Sequence, residues 1–137
     1  MKIFEKLRRK KKEKVPVQEA KKTVTELEEI CGEDKEVYEA LLETMFLDPR
    51  KIGVSMKEAE ERAKEFEKSG DLIRTLIWYK IAGGLAIHQG DAKKVKQNFG
   101  KCQELSNKGY KILEIPERAV EKAQEYYKKY LKIEEKK

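Results

Sequence analysis

His88 is the chain's one histidine, and Cys31 and Cys102 are its two cysteines; what stands around them decides what chemistry they can do. An imidazole can ligate a metal or act as a general base, but either role needs convergent partners. His88 follows an apolar run and precedes Gln89-Gly90, with no carboxylate or thiol motif beside it. It reads as a side chain compatible with the negative end of a helix. The cysteines form no C-x-x-C, and each falls on an apolar stripe. They read as small buried hydrophobes in a chain kept reduced, which points to a cytoplasmic setting. No glycine-rich phosphate loop, zinc-ligand spacing or nucleophile elbow occurs. The expectation is therefore a protein that is not an enzyme, with no catalytic, cofactor-binding or metal residues.

Charge patterning points instead to recognition. Residues 1–14 carry Lys2, Lys6, Arg8, Arg9, Lys10, Lys11, Lys12 and Lys14 against Glu5 and Glu13, a net +6 that equals the charge of the whole chain. Residues 15–137 are thus neutral overall, and the protein divides into a basic arm and one helical domain. The arm suits a solvated tail, a contact to nucleic-acid phosphates, or an anionic membrane surface through Ile3, Phe4 and Leu7. Near the other end, Tyr126, Tyr127 and Tyr130 interleave with Lys128, Lys129 and Lys132. That string fits stacking on single-stranded nucleic acid, or a terminal helix packing its rings and turning its lysines outward. Glu58, Glu60, Glu61, Glu65 and Glu67 alternate with Arg62, Lys64 and Lys68, which predicts a solvated helix face with i,i+4 pairs.

The elements that position these residues are all helical. Charged residues make up 42% of the chain, so the core must be thin. Val17, Ala20, Val24, Leu27 and Cys31 recur at helical spacing up to Gly32. A second helix is expected from Asp34 to Leu47, with Val37, Leu41, Leu42, Met45 and Phe46 inward. Ser55-Met56-Lys57-Glu58 is a capping box opening a third. The run 72–88 is apolar almost all round, which predicts a central helix covered on several sides with Leu76 and Trp78 in the core. A fifth helix carries Ala92, Val95, Phe99, Cys102 and Leu105 and stops near Gly109. Pro116 opens the sixth.

Two Gly-Asp steps, Gly70-Asp71 and Gly90-Asp91, lie 20 residues apart and bracket the apolar run. Glycine ends a helix in the left-handed region and aspartate caps the next, so both pairs are structural turns joining antiparallel helices. A shift of 20 also superposes Thr75 on Val95, Tyr79 on Phe99 and Ala82 on Cys102. Residues 59–87, with Ala63, Phe66, Gly70, Asp71, Thr75, Tyr79 and Ala82, resemble one tetratricopeptide-type helical hairpin. Ala59 stands where that pattern has tryptophan, and no second repeat follows at 34 residues. The resemblance implies an antiparallel stack of right-handed helical hairpins that binds a protein or peptide. The alternative is a nucleic-acid, ribosome or membrane-surface factor working through residues 1–14.

Overall fold

Helix ends set where this chain reverses direction. The computed structural model describes residues 26–44, 48 and 51–131. Residues 26–31 are helical. They are followed by α1 (Lys35–Glu43), α2 (Met56–Ser69), α3 (Leu72–Gln89), α4 (Ala92–Ser106), a 3-10 turn (Lys111–Leu113) and α5 (Pro116–Tyr126). A π-helical turn, Tyr127–Leu131, extends α5. The fold is all-α, with no strand among the described residues.

The two Gly-Asp steps adopt the geometry their residue types favour. Gly70 and Gly90 have φ of +81° and +76°, where a side chain is strained. The next amide reaches back five residues in each case, Asp71 N–H to the Phe66 carbonyl and Asp91 N–H to the Ala86 carbonyl, both at 3.0 Å. Those bonds satisfy carbonyls that a helix end leaves open. Asp71 and Asp91 then accept from the amides of Arg74 and Lys94, at 3.1 and 3.0 Å. At the start of α2, the Ser55 hydroxyl accepts from Glu58 N–H while the Glu58 carboxylate accepts from Ser55 N–H. With reversals this short, α3 packs along α2 on one side and α4 on the other. Thr75, Tyr79 and Ala82, and their 20-residue counterparts Val95, Phe99 and Cys102, are all buried there.

The tightest approach is between α3 and α4. A Cβ on Gly83 would lie 2.5–2.9 Å from three atoms of the Phe99 ring, and Phe99 is fully buried. The aromatic ring therefore rests on bare backbone. α5 closes the other end of α3. Gln124 Nε2 donates to the carbonyls of Ile87 and His88 at 2.7 and 2.8 Å, supplying partners at the C-terminus of α3. Arg118 pins α5 to the start of α1, donating to both Asp34 oxygens at 2.7 and 2.8 Å and to Glu36 at 3.1 Å.

Three expectations need correction. The second helix ends at Glu43, because the Thr44 hydroxyl donates to the Leu41 carbonyl at 2.7 Å and closes the turn. Leu42 is exposed there instead of inward, and Met45 and Phe46 lie outside the described residues. α4 ends at Asn107, which takes the left-handed conformation (φ +58°) in place of Gly109. Among the described residues the central helix is covered on all sides only in its C-terminal half, although Thr75 and Tyr79 are also buried. Ala82 to Ile87 are buried, whereas Leu72, Ile73 and Ile77 are exposed and Leu76 and Trp78 are half-buried. The keystone is accordingly Phe99 against Gly83, not Leu76 or Trp78.

Phe99→Ala should cost about 3–5 kcal/mol in a urea melt. Gly83→Ala should destabilise despite a helix-propensity gain of about 1 kcal/mol, because the buried ring cannot move aside. In a Phe99→Leu background the same change should become stabilising. Additive effects of the two substitutions would mean the ring and the glycine do not meet.

Candidate functional site

The contact residues expected in the arm, Lys2, Lys6, Arg8, Arg9, Lys10, Lys11, Lys12 and Lys14, lie outside the described residues. Gly70, Asp71, Gly90 and Asp91 form the two helix reversals described above. His88 is half-buried at the end of α3, its ring meeting Tyr127 edge-on at 5.4 Å and 88°. Cys31 and Cys102 are both buried and free. Burial pushes both thiols up, Cys102 to about 11, opposite to the shift that makes a cysteine nucleophilic. Among the described residues no three His, Cys, Asp or Glu side chains converge to hold a metal ion.

The terminal tyrosines serve packing. Tyr126 and Tyr127 are each 2% exposed, and Tyr127 is wedged between His88 and Tyr126. The Tyr126 hydroxyl donates to Glu26 at 3.3 Å, and Lys129 pairs with Glu29 at 3.5 Å. These bonds tie α5 to helical residues 26–31. Lys132 lies outside the described residues.

The acidic run of α2 is not simply a solvated face. Glu60 and Glu67 reach across to α4 and line, with Tyr79, a polar groove of about 310 Å³. Asn98, 2% exposed, donates to Glu60 at 2.9 Å and to the Lys94 carbonyl at 3.0 Å. Lys94 pairs with Glu60 at 3.6 Å, and Lys101 donates to Glu67 at 3.1 Å. The Tyr79 hydroxyl donates to the other Glu67 oxygen at 3.1 Å. The Lys101 hydrogen bond holds the Glu67 carboxyl below the usual range, while burial and the Glu67 bond push Tyr79 up to about 12. Both carboxylates are thus committed to lysines, and the cluster fixes α2 against α4 instead of offering a free base. Sequence spacing missed it because the partners are 34 and 38 residues away.

The open half of α3 has a different character. Leu72, Ile73 and Ile77 are 49, 72 and 43% exposed. Beside them, Arg62 lies over the Trp78 ring at 4.7 Å and Arg74 over Phe66 at 5.6 Å. Arg62, Glu65, Phe66, Ser69 and Trp78 line a recess of about 530 Å³ on this edge. This surface is apolar and bordered by Arg62 and Arg74 together with Glu65 and Asp71, and its backbone is held on the far side by α2 and α4. No helix among the described residues is long and apolar enough to cross a membrane.

The thiol and phenol shifts carry a pH dependence. An unfolded cysteine ionises near 9.0 and folded Cys102 near 11, so the folded chain holds protons that the unfolded chain releases. The stability this contributes is complete below pH 9 and is lost as pH rises towards 11, with Tyr79 adding the same trend from 10 to about 12. Urea midpoints should fall steadily between pH 8.5 and 10.5, and Cys102→Ala should flatten the slope. A slope unchanged by that substitution would mean the thiol is solvated.

No protein-family model, curated protein or solved structure matches this chain.

Proposed function

We propose that the protein is a non-enzymatic protein-interaction module, and that the open face of α3 is its contact surface. The observation carrying this reading is the exposure of Leu72, Ile73 and Ile77 on one helix, with Ile73 and Ile77 a turn apart on the same face. Single exposed apolar side chains are ordinary on protein surfaces; several on one helix point to an interaction site. The resemblance of residues 59–87 to a tetratricopeptide-type hairpin supports it, since stacked hairpins present helix faces to peptides and partner helices. The commitment of Glu60 and Glu67 to lysines supports the non-enzymatic part. Two buried, unpaired cysteines support a reducing, cytoplasmic setting.

At about 25 cal/mol per Å² the three aliphatic side chains supply only a few kcal/mol, less than association costs. A partner must therefore gain further contacts at the border of the patch. The test is a displayed library of helical peptides selected on the intact protein. Binders should be recovered, and most should be lost on Ile77→Asp, whose melting temperature should stay near wild type because the site is exposed. Failure to recover α3-dependent binders would refute the reading.

The excess charge of residues 1–14 gives a second reading, contact with a polyanion. Deleting those residues should then remove RNA affinity that falls by about 0.9 or less in log K per phosphate contact for each log unit of salt. RNA binding that is equal with and without the arm, or absent from both proteins, would dismiss it.

A further inference from the structure

The charges bordering the open face say what kind of helix it accepts. Along Leu72–Gln89 the only Lys or Arg residues are Arg74 and Lys80, and there is no Asp or Glu. Ile73 and Ile77 are one turn apart and form a row. Arg74 stands three residues before Ile77 and Lys80 three residues after it, so the row has a cation on each side. Both cations are held in place. Arg74 is 65% exposed at its side chain, donates to Asp71 at 3.3 Å and leans on Phe66. Lys80 directs its ammonium to within 5.9 Å of the Tyr110 ring. The row from Leu72 to Lys80 rises about 12 Å, a little over two helical turns.

We propose that this face binds a short amphipathic helix of acidic character, with an aliphatic row set between carboxylates. This rests on the reading of α3 as the contact surface and adds the chemistry of the partner. Leucine or isoleucine at i, i+3 and i+4 covers Ile73 and Ile77, and flanking Glu or Asp meets Arg74 and Lys80. Charge argues against the two occupants available within the chain itself. A second copy pairing through α3 sets Lys80 against the same cations, since the carboxylate at the start of the helix, Asp71, is already bonded to its own Arg74. Residues 1–14, with eight cations and two glutamates, meet the same repulsion.

The experiment uses the full chain and two synthetic 18-residue helical peptides with the same leucine row. One carries Glu on both flanks and the other Lys. Trp78 is the only tryptophan of the protein and sits beside the face, so its fluorescence reports binding by tryptophan-free peptides. The Glu peptide should bind about tenfold or more tighter than the Lys peptide at low salt, and the gap should narrow several-fold at high salt. Arg74→Gln with Lys80→Gln should erase the preference while leaving the leucine contact. Ile73→Asp, at the most exposed site, should weaken both peptides without unfolding the chain. Equal affinities, or preference for the Lys peptide, would overturn the proposed chemistry while leaving α3 as a contact surface. Binding of neither peptide would also overturn it, and α3-dependent binders from the library would then show that the surface survives with another partner. A dimer in sedimentation that is lost on Ile77→Asp would identify a second copy as the occupant. Binding seen only after deletion of residues 1–14 would identify the arm.

Discussion

The contact on which the rest of the fold depends is the Phe99 ring lying on the bare Cα of Gly83. A methyl group at that glycine would sit 2.5 Å from the ring edge. Its absence lets the Phe99 ring of α4 seat directly on the backbone of α3, and the closeness has consequences well away from the glycine. With α4 drawn in, Asn98, Lys94 and Lys101 come within reach of Glu60 and Glu67 on α2. Two helices that are not sequence neighbours are thereby tied across Tyr79, whose hydroxyl shares Glu67 with Lys101. A buried asparagine between a carboxylate and a backbone carbonyl is costly to leave unpaired, so the network also selects one registry of the three helices.

The two halves of α3 face different surroundings. Its C-terminal half meets α4, α5 and the ring of Tyr127, and Gln124 satisfies its last carbonyls. Its N-terminal half has α2 and α4 behind it and nothing in front of Ile73 among the described residues. A helix anchored at one end and along its back presents exposed side chains with little backbone freedom to lose on binding. Such a platform suits recognition, because less ordering entropy opposes association. The same thin core explains why the ionisable groups inside it resist charging. Cys102 and Tyr79 sit where a thiolate or phenolate would lose hydration, a loss that Lys80 only partly offsets at Cys102 and that Glu67 adds to at Tyr79.

Acids and bases are arranged here for cohesion. Asp34 is held below the ordinary carboxylate range by Arg118, and Glu39 by Lys111. Both pairs join α1 to segments more than 70 residues later. They are exposed, so each adds little to stability and is weakened by salt. Their value lies more in orientation, fixing the angle at which α1 meets α5 and the 3-10 turn.

Helix positions, capping and reversals were legible in the sequence because they depend on local chemistry. Ser55 and Glu58, the Gly-Asp steps and Pro116 act within a few residues of themselves, and spacing alone identifies them. The inward set Thr75, Tyr79, Ala82, Val95, Phe99 and Cys102 was legible as a 20-residue echo, since both helices use the same face. What the sequence could not decide was which apolar residues of α3 would be covered. An all-round apolar helix carries no period from which to read its open side, and that side is set by which elements pack against it. The reach of Glu60 and Glu67 to α4 was equally hidden, because ion pairs between residues 34 or more positions apart leave no local pattern. Local bonding chose the helices and their turns; tertiary packing alone chose the exposed face, because burial is a property of neighbours that the chain brings together only on folding.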